Sequence, residues 1–364
     1  MLEQTQEKDP MEQAGSIKGR TANRALRDIL RRILPHTYLL LVLLAIILIG
    51  NFVTPNFLTS RNFGNVVSFS SIIAILAVGQ FYVILTGGID LSVGAILAMS
   101  TVIVALTLQT GVGAFPAVVL TLASCAAVGL LNGILVVWVR IPPFIATLAM
   151  MSMVQGFSYI IQSSSLIQID NEVFVNWFSD GHVLGMPMPV LFFLAVTAVA
   201  AFTSRYTTFG RRLYAIGGNR EAARLSGLPV SRDLLVTYTV SGLLAGLAGL
   251  LAAAQLLQGS SLVGRGNELD AIAAVVVGGA SLAGGNGNPI NSVIGVFVLA
   301  TIINIMNLVG ISSEPQLVIK GAVILIAVYL SSAGGIDRLS ANLSAIFGAK
   351  DRAGETKSDS AERS

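Results

Sequence analysis

Residues 210–232, GRRLYAIGGNREAARLSGLPVSR, form a basic and polar stretch between two long hydrophobic halves of the chain. The stretch holds five of the 22 lysines and arginines in the protein: Arg211, Arg212, Arg220, Arg224 and Arg232. Because so many charges are unfavourable in hydrocarbon, this stretch must lie in water or at a membrane surface. It therefore separates two groups of membrane-embedded segments.

The composition indicates a protein with many membrane crossings. Of the 364 residues, 54% are hydrophobic and only 11% are charged, whereas a soluble domain is about one-quarter charged. Uninterrupted apolar runs predict an all-α membrane protein with about ten transmembrane helices. We place these spans at 36–54, 66–86, 92–110, 114–139, 143–163, 189–204, 233–258, 270–285, 290–309 and 315–333.

The distribution of charge predicts the orientation of these spans. With the N-terminus inside, 19 basic residues fall on the inner side and two, Arg61 and Arg265, fall outside. Cytoplasmic segments are enriched in lysine and arginine, so both termini are predicted to be cytoplasmic. The predicted regions are a tail with an amphipathic helix at 1–35, a membrane domain at 36–334 with a cytoplasmic loop at 205–232 and an outer loop at 164–189, and a disordered tail at 335–364.

Several classes of function lack their sequence signatures. A phosphate-binding Walker A loop needs Gly-Lys-Ser/Thr, and no Gly-Lys dipeptide occurs in the sequence. His36, His182 and Cys125 do not have the spacing of metal ligands. The basic residues cluster at span ends, which favours membrane orientation over binding to nucleic acid. An intramembrane enzyme would need paired acids or an internal histidine, and no predicted span has either. We therefore expect no ATPase site, metal or cofactor on this chain.

Two carboxylates lie at the ends of predicted spans. Asp90 is predicted to cap a helix beginning at Leu91, and the neighbouring glycines also suit a hinge. Asp270 likewise falls at a span end, so the prediction leaves no carboxylate in mid-span for ion coupling. A weak internal repeat relates residues 87–94 to residues 278–285. The hinge or gate candidates are Gly87, Gly88, Asp90, Gly94, Gly278 and Gly279.

A few polar side chains fall inside the apolar spans. Uncharged ones ordinarily form hydrogen bonds between helices, but a pathway for a polar solute needs the same side chains. Lys320 is expected to extend its ammonium group towards the headgroups, with a ligand-facing role as the alternative. The pathway candidates are Gln80, Asn132, Gln155, Asn304, Asn307 and Lys320.

The basic stretch contains a short helix signal. Asn219 is a suitable cap for a helix at 220–226, and Gly227 with Pro229 supplies the stop. Two turns are too short to be stable alone, so the helix needs a surface on which to dock, either the membrane or a protein. The candidate docking residues are Gly218, Asn219, Arg220, Glu221, Ala222, Ala223, Arg224, Leu225, Ser226 and Gly227.

Three motifs resemble a known family. Residues 85–94 (LTGGIDLSVG), 214–227 (YAIGGNREAARLSG) and 275–285 (VVVGGASLAGG) look like the permease subunits of bacterial ribose-type monosaccharide ABC importers. The resemblance implies an inner-membrane permease with a fold similar to that of the vitamin B12 importer, acting as a homodimer or heterodimer. It also implies a separate ATPase, using ATP and Mg²⁺, at the short cytoplasmic helix, and a periplasmic sugar-binding protein outside.

These features predict a subunit that imports a monosaccharide or related polyol by alternating access. An ion-coupled secondary transporter or a passive channel for a small polar solute is the alternative. The sequence does not name the sugar or the partner permease.

Overall fold

The computed structural model describes residues 38–163 and 166–331 of the chain. The tails predicted at 1–35 and 335–364 lie outside the described residues. Thirteen helices are seen in the described part: α1 Tyr38–Val53, α2 Ser60–Leu85, α3 Val93–Gln109, α4 Ala114–Val137, α5 Pro143–Gln162, α6 Glu172–Val175, α7 Met188–Tyr206, α8 Thr208–Gly218, α9 Arg220–Leu225, α10 Val230–Leu256, α11 Asn267–Val277, α12 Pro289–Leu308 and α13 Ser313–Ser331.

The described chain is an all-α membrane protein with several crossings. Six of its helices are long and apolar enough to cross a membrane: α2, α4, α5, α7, α10 and α12. The helices α1 and α3 are shorter and also apolar. The total of ten spans and the cytoplasmic placement of the termini stay predictions.

The predicted outer loop at 164–189 carries a few short elements. The strand β1, Ile167–Gln168, pairs antiparallel with β4, Gln258–Gly259. A small hairpin is formed by β2, His182–Val183, and β3, Met186–Pro187. One π-helical turn, Asn176–Asp180, follows α6.

The predicted span at 270–285 is wrong in extent. The helix α11 has 11 residues, or about 16 Å at 1.5 Å per residue, roughly half of a hydrocarbon core. It ends because Gly279 adopts a left-handed φ of +85° and the Ala280 amide returns to the Val275 carbonyl at 3.1 Å. This is the usual glycine-dependent helix stop. The chain then runs without helix to Asn288, the cap of α12.

The core lies around α2 and α10. Most of α2 is buried, and this helix packs against α7, α10, α11 and α12. The helices α4 and α10 approach closely at Gly129 and Gly242, since a Cβ on Gly242 would lie 2.9 Å from the Gly129 Cα. Small residues at such crossings let membrane helices gain packing contacts that larger side chains would prevent.

Candidate functional site

The short helix in the basic stretch is α9, which ends one residue before the predicted boundary. Its first turn is capped by Asn219, whose Oδ1 accepts a hydrogen bond from the Ala222 amide at 2.9 Å. At its end, Gly227 has a φ of +77°, and the Leu228 amide donates to the Ala223 carbonyl at 3.1 Å. The local signals for a cap and a stop thus define this helix.

One face of α9 is exposed and one residue holds it to the body of the protein. Ala223 is buried, so it does not belong to the apolar surface offered to a partner; Ala222 and Leu225 do, with Leu225 78% exposed. Glu221 and Arg224 are exposed and form an ion pair with an O to N distance of 2.7 Å. The hydrogen bond to Glu221 raises the pKa of Arg224. The exposed face therefore combines a charged pair with a small apolar surface.

The preceding helix, α8, positions α9 against the membrane-embedded part. Arg212 makes a bidentate contact with Asp233 of α10, with distances of 2.6 Å and 2.9 Å. Because Asp233 is nearly fully buried, this ion pair stabilises the packing of α8 against α10. Arg212 therefore has a structural role besides the membrane orientation that its charge predicted. The hydrogen bonds to Asp233 raise the pKa of Arg212. Tyr214 also donates a hydrogen bond to the Gly287 carbonyl at 2.9 Å.

The two glycine motifs meet at the end of α8. The Gly285 amide donates to the Leu85 carbonyl at 2.9 Å. A Cβ on Gly217 would lie 1.9 Å from that same carbonyl oxygen and 2.4 Å from the Gly285 nitrogen. A Cβ on Gly284 would lie 2.8 Å from the Gly87 nitrogen. Three segments far apart in sequence therefore touch through backbone atoms, and we call this region the glycine contact.

The other hinge candidates are also closely packed. A Cβ on Gly88 would lie 2.6 Å from the Tyr238 hydroxyl, and one on Gly94 would lie 2.1 Å from Glu268 Oε2. A Cβ on Gly278 would lie 2.6 Å from the Asn291 carbonyl oxygen. Glycine is needed at these positions for close approach to neighbouring atoms. At Gly279, whose φ is positive, a Cβ would meet no neighbouring atom within 4 Å.

Asp90 lies in the loop between α2 and α3 and is fully buried. The prediction that it caps a helix at Leu91 is wrong, because α3 begins at Val93 with Ser92 as its cap. Asp90 Oδ1 accepts from the Ser92 amide at 3.0 Å and from the Ser92 hydroxyl at 2.6 Å, and Oδ2 accepts from the Ser241 hydroxyl at 2.9 Å. The carboxylate thereby joins this loop to α10.

Two of the pathway candidates support the Asp90 loop from inside the bundle. Gln80 is buried, and with its amide oriented to satisfy both groups it donates to the Asp90 carbonyl at 3.1 Å and accepts from the Asp90 amide at 3.2 Å. Asn132 is buried and donates to Ser92 Oγ at 2.7 Å. Neither residue lines the cavity that lies between α2, α11, α12 and α13.

Gln155, on α5, holds the loop after β4. Its amide nitrogen donates to the Ser261 carbonyl, while Gln162 Oε1 accepts from the Ser261 amide at 2.6 Å. Gln155 is also absent from the cavity lining.

The remaining three pathway candidates meet at one cavity of about 380 Å³ between α2, α11, α12 and α13. Asn304 and Asn62 exchange two side-chain hydrogen bonds of 2.9 Å. The Asn307 side chain accepts from Gln316 at 2.7 Å. Sequence reasoning missed Asn62, because the prediction started the second span at 66 whereas α2 begins at Ser60, after the Thr59 cap.

Lys320, predicted to extend its ammonium group towards the headgroups, forms an ion pair that the prediction did not include. Its Nζ lies 2.7 Å from Asp270 Oδ1 and 2.9 Å from Oδ2, joining α13 to α11. The pairing was not foreseen, since 50 residues separate the two positions. A charge inside the membrane domain is stabilised by such a partner, and Asp270, predicted to lie at a span end, is part of the cavity wall.

The described helices and the cavity define a multi-pass membrane protein with a pocket among its helices. A family profile described as "Branched-chain amino acid transport system / permease component" matches residues 62–328. The chain belongs to this family of permease components. No solved structure matches the chain, so the similarity to the vitamin B12 importer stays a prediction.

Individual relatives agree with this membership. The chain is 41% identical over 296 residues to the ribose import permease protein of Escherichia coli K12, covering 80% of this chain and 92% of that protein. It is 41% identical to the ribose import permease protein of Bacillus subtilis 168, covering 79% of this chain and 90% of the relative. It is 37% identical to a D-allose transport system permease protein of E. coli K12, covering 80% and 89%. The resemblance to ribose-type ABC importer permeases is thus confirmed.

Proposed function

We propose that this chain is the transmembrane subunit of an ATP-driven importer for a monosaccharide or related polyol in the bacterial inner membrane. The proposal adds a separate ATPase, a periplasmic binding protein and a second permease subunit as partners. The similarity to permeases for ribose and allose over most of their length supports this substrate class. ATP and Mg²⁺ bind to the ATPase in this proposal, and this chain carries neither.

The glycine contact is the observation that carries the coupling mechanism. The exposed helix α9 follows directly on α8, and α8 touches the ends of both α2 and the loop after α11 through Gly217. Atoms this close cannot move independently, since packed interiors transmit displacement. When the ATPase moves α9, α8 pushes on Leu85 and Gly285. The end of α2 and the segment after α11 then change position together.

Alternating access then needs little chemistry from this chain. The ATPase docks on the face of α9 that contains Glu221, Arg224 and Leu225. Its closure displaces α8, whose Arg212 and Asp233 pair carries the displacement to α10. The sugar moves through the membrane domain as the openings at its two ends exchange, and no covalent bond to the sugar is made.

The test is sugar uptake into vesicles that contain the complete transporter with its ATPase and binding protein. Replacement of both Glu221 and Arg224 by alanine is expected to reduce ATP-driven ribose uptake at least about tenfold, because the exposed pair is lost from the docking face. Arg211→Ala, which removes an exposed arginine of α8, is the matched control and is expected to retain uptake. Unchanged assembly and uptake in the double variant would show that α9 is not the coupling element.

An ion-coupled carrier is the second candidate, and the pair Asp270 and Lys320 is the observation in its favour. Ionisable residues within membrane domains often take part in proton or ion relays. Uptake that persists without ATP and follows an imposed proton or sodium gradient would establish this candidate in place of the first.

A further inference from the structure

We propose that the cavity between α2, α11, α12 and α13 is a binding site for a neutral monosaccharide within the membrane domain, with Asp270 and Lys320 as its polar anchor. The inference rests on the proposed function and assigns the substrate a place in the chain. We refer to this cavity as the transmembrane site.

The size and lining of the transmembrane site suit a small polar ligand. Its volume of about 380 Å³ lies within the range of ligand pockets, about 300–1,000 Å³. Apolar side chains such as Phe69, Ile73 and Leu299 form much of the wall. Polar groups are fewer. In ligand sites the apolar wall usually packs the carbon skeleton of the ligand, and a few polar groups fix its orientation through hydrogen bonds.

Three polar pairs line the site, and each joins two different walls. Asp270 and Lys320 connect α11 with α13, Asn62 and Asn304 connect α2 with α12, and Asn307 and Gln316 connect α12 with α13. Unpaired polar groups would be costly in hydrocarbon, and here each is paired with a partner on another helix while facing the same cavity. Hydroxyl groups both donate and accept, so a sugar can bond to members of all three pairs.

The anchor pair keeps hydrogen-bonding capacity for a ligand. Lys320 Nζ has three protons, and a carboxylate has about four lone-pair positions. Nζ donates to Asp270 Oδ2 and lies 2.7 Å from Oδ1, which is buried. The Lys320 and Asp270 side chains keep 22% and 17% of their surface exposed, so sugar hydroxyls can accept from Nζ and donate to Oδ2. Because the two charges cancel, the site favours a neutral ligand over an ion.

The transmembrane site and the glycine contact lie at opposite ends of the same helix. Asn62 is in the first turn of α2, and Leu85 is its last residue, which places them about 35 Å apart along the axis. In α11, Asp270 likewise lies near the start, and the loop beyond Val277 leads to Gly285. Movement of α8 therefore acts on two walls of the site, which links the energy source to the affinity for sugar.

The test measures occupancy of the site directly. Cys125, the one cysteine of this chain, is buried, so a thiol introduced by Ala300→Cys in the lining is the reactive one on this chain when the complete transporter is labelled. Its modification by a water-soluble maleimide is measured without nucleotide, with and without saturating D-ribose. Asn56→Cys, in an exposed loop outside the lining, is the control thiol. We expect ribose to slow modification at position 300 at least about threefold and to leave the control unchanged.

A second substitution assigns the protection to the polar groups. Asn304→Leu in the Ala300→Cys background is expected to raise the ribose concentration for half-protection about tenfold, since one hydrogen-bonding wall is lost. Asn51→Leu, at an exposed position of α1 outside the lining, is the matched control. Gln316→Leu provides the same comparison if Asn304→Leu fails to assemble.

The possible results separate this inference from the proposed function. ATP-driven ribose uptake with no protection of the introduced thiol overturns the transmembrane site alone. A thiol at position 300 that is unreactive even without sugar also overturns it, because an acyl chain or second subunit then fills the cavity. Protection by ribose without ATP-driven uptake supports the site and overturns the proposed energy source. If the ribose concentration for half-protection is the same in the Asn304→Leu and Asn51→Leu variants, the polar pairs do not contribute to sugar binding.

Discussion

Gly217 lies so close to Leu85 that a Cβ at position 217 would be 1.9 Å from the Leu85 carbonyl oxygen. The two residues belong to different parts of the chain, α8 and the end of α2. Their contact gives α8, and α9 after it, a direct connection to the central helix of the bundle. A single methyl group added at position 217 therefore tests whether movement of α8 is transmitted to α2.

Gly217→Ala is expected to reduce ATP-driven uptake at least about tenfold while the protein still inserts in the membrane. The added methyl must displace α8 from backbone atoms, which cannot move aside as a flexible side chain would. Gly218→Ala is the matched control, since no atom lies within 4 Å of a Cβ at that position. Ribose uptake and thermal unfolding in detergent are measured for both variants. Equal uptake by the two would contradict the role of the glycine contact.

Asp90→Ala is expected to lower the free energy of unfolding by about 3 kcal/mol, because two buried serines lose the carboxylate that they share. Asp170→Ala, at an exposed position of the outer loop, is expected to change it by less than about 0.5 kcal/mol. Denaturation in detergent checks both variants. A similar stability for the two would show that the Asp90 contacts contribute little.

Arg212→Lys is expected to destabilise the protein by about 2 kcal/mol, because an ammonium group cannot reproduce the bidentate contact with the buried Asp233. Arg211→Lys changes an exposed neighbour on the same helix and is expected to have no measurable effect. The midpoints of thermal unfolding are compared. If the Arg212 variant unfolds at the wild-type temperature, the pair does not hold α8 to α10.

Gly242→Ala is expected to lower stability by about 1–3 kcal/mol, because a Cβ there would lie 2.5 Å from the Cys125 carbonyl oxygen and force α10 away from α4. Gly156→Ala, at a helix position with open space around it, is the control and is expected to keep or slightly raise stability. Unfolding of the two purified variants is followed by loss of helical circular dichroism. A stable Gly242→Ala variant would mean that this crossing tolerates wider spacing.

Local signals in the sequence predicted the helices well where the signal lay within one segment. Asn219 and Gly227 bracket α9 because capping depends on neighbouring backbone groups. The span predicted at 270–285 was too long because it was based on hydropathy alone. The local stop signal of Gly278 and Gly279, where the backbone turns, was not used. Lys320 was assigned to the headgroups because its partner, Asp270, is remote in sequence.

The sequence by itself determined that this is a multi-pass membrane protein with a charged loop between its halves and a capped two-turn helix inside that loop. Composition and capping are properties of single segments, so they can be read without knowing how the segments pack. Only the tertiary structure decided that Gly217 meets Leu85 and Gly285, and that Asp270 pairs with Lys320 at a cavity. Those relations depend on how helices cross, which is set by side-chain packing between distant segments.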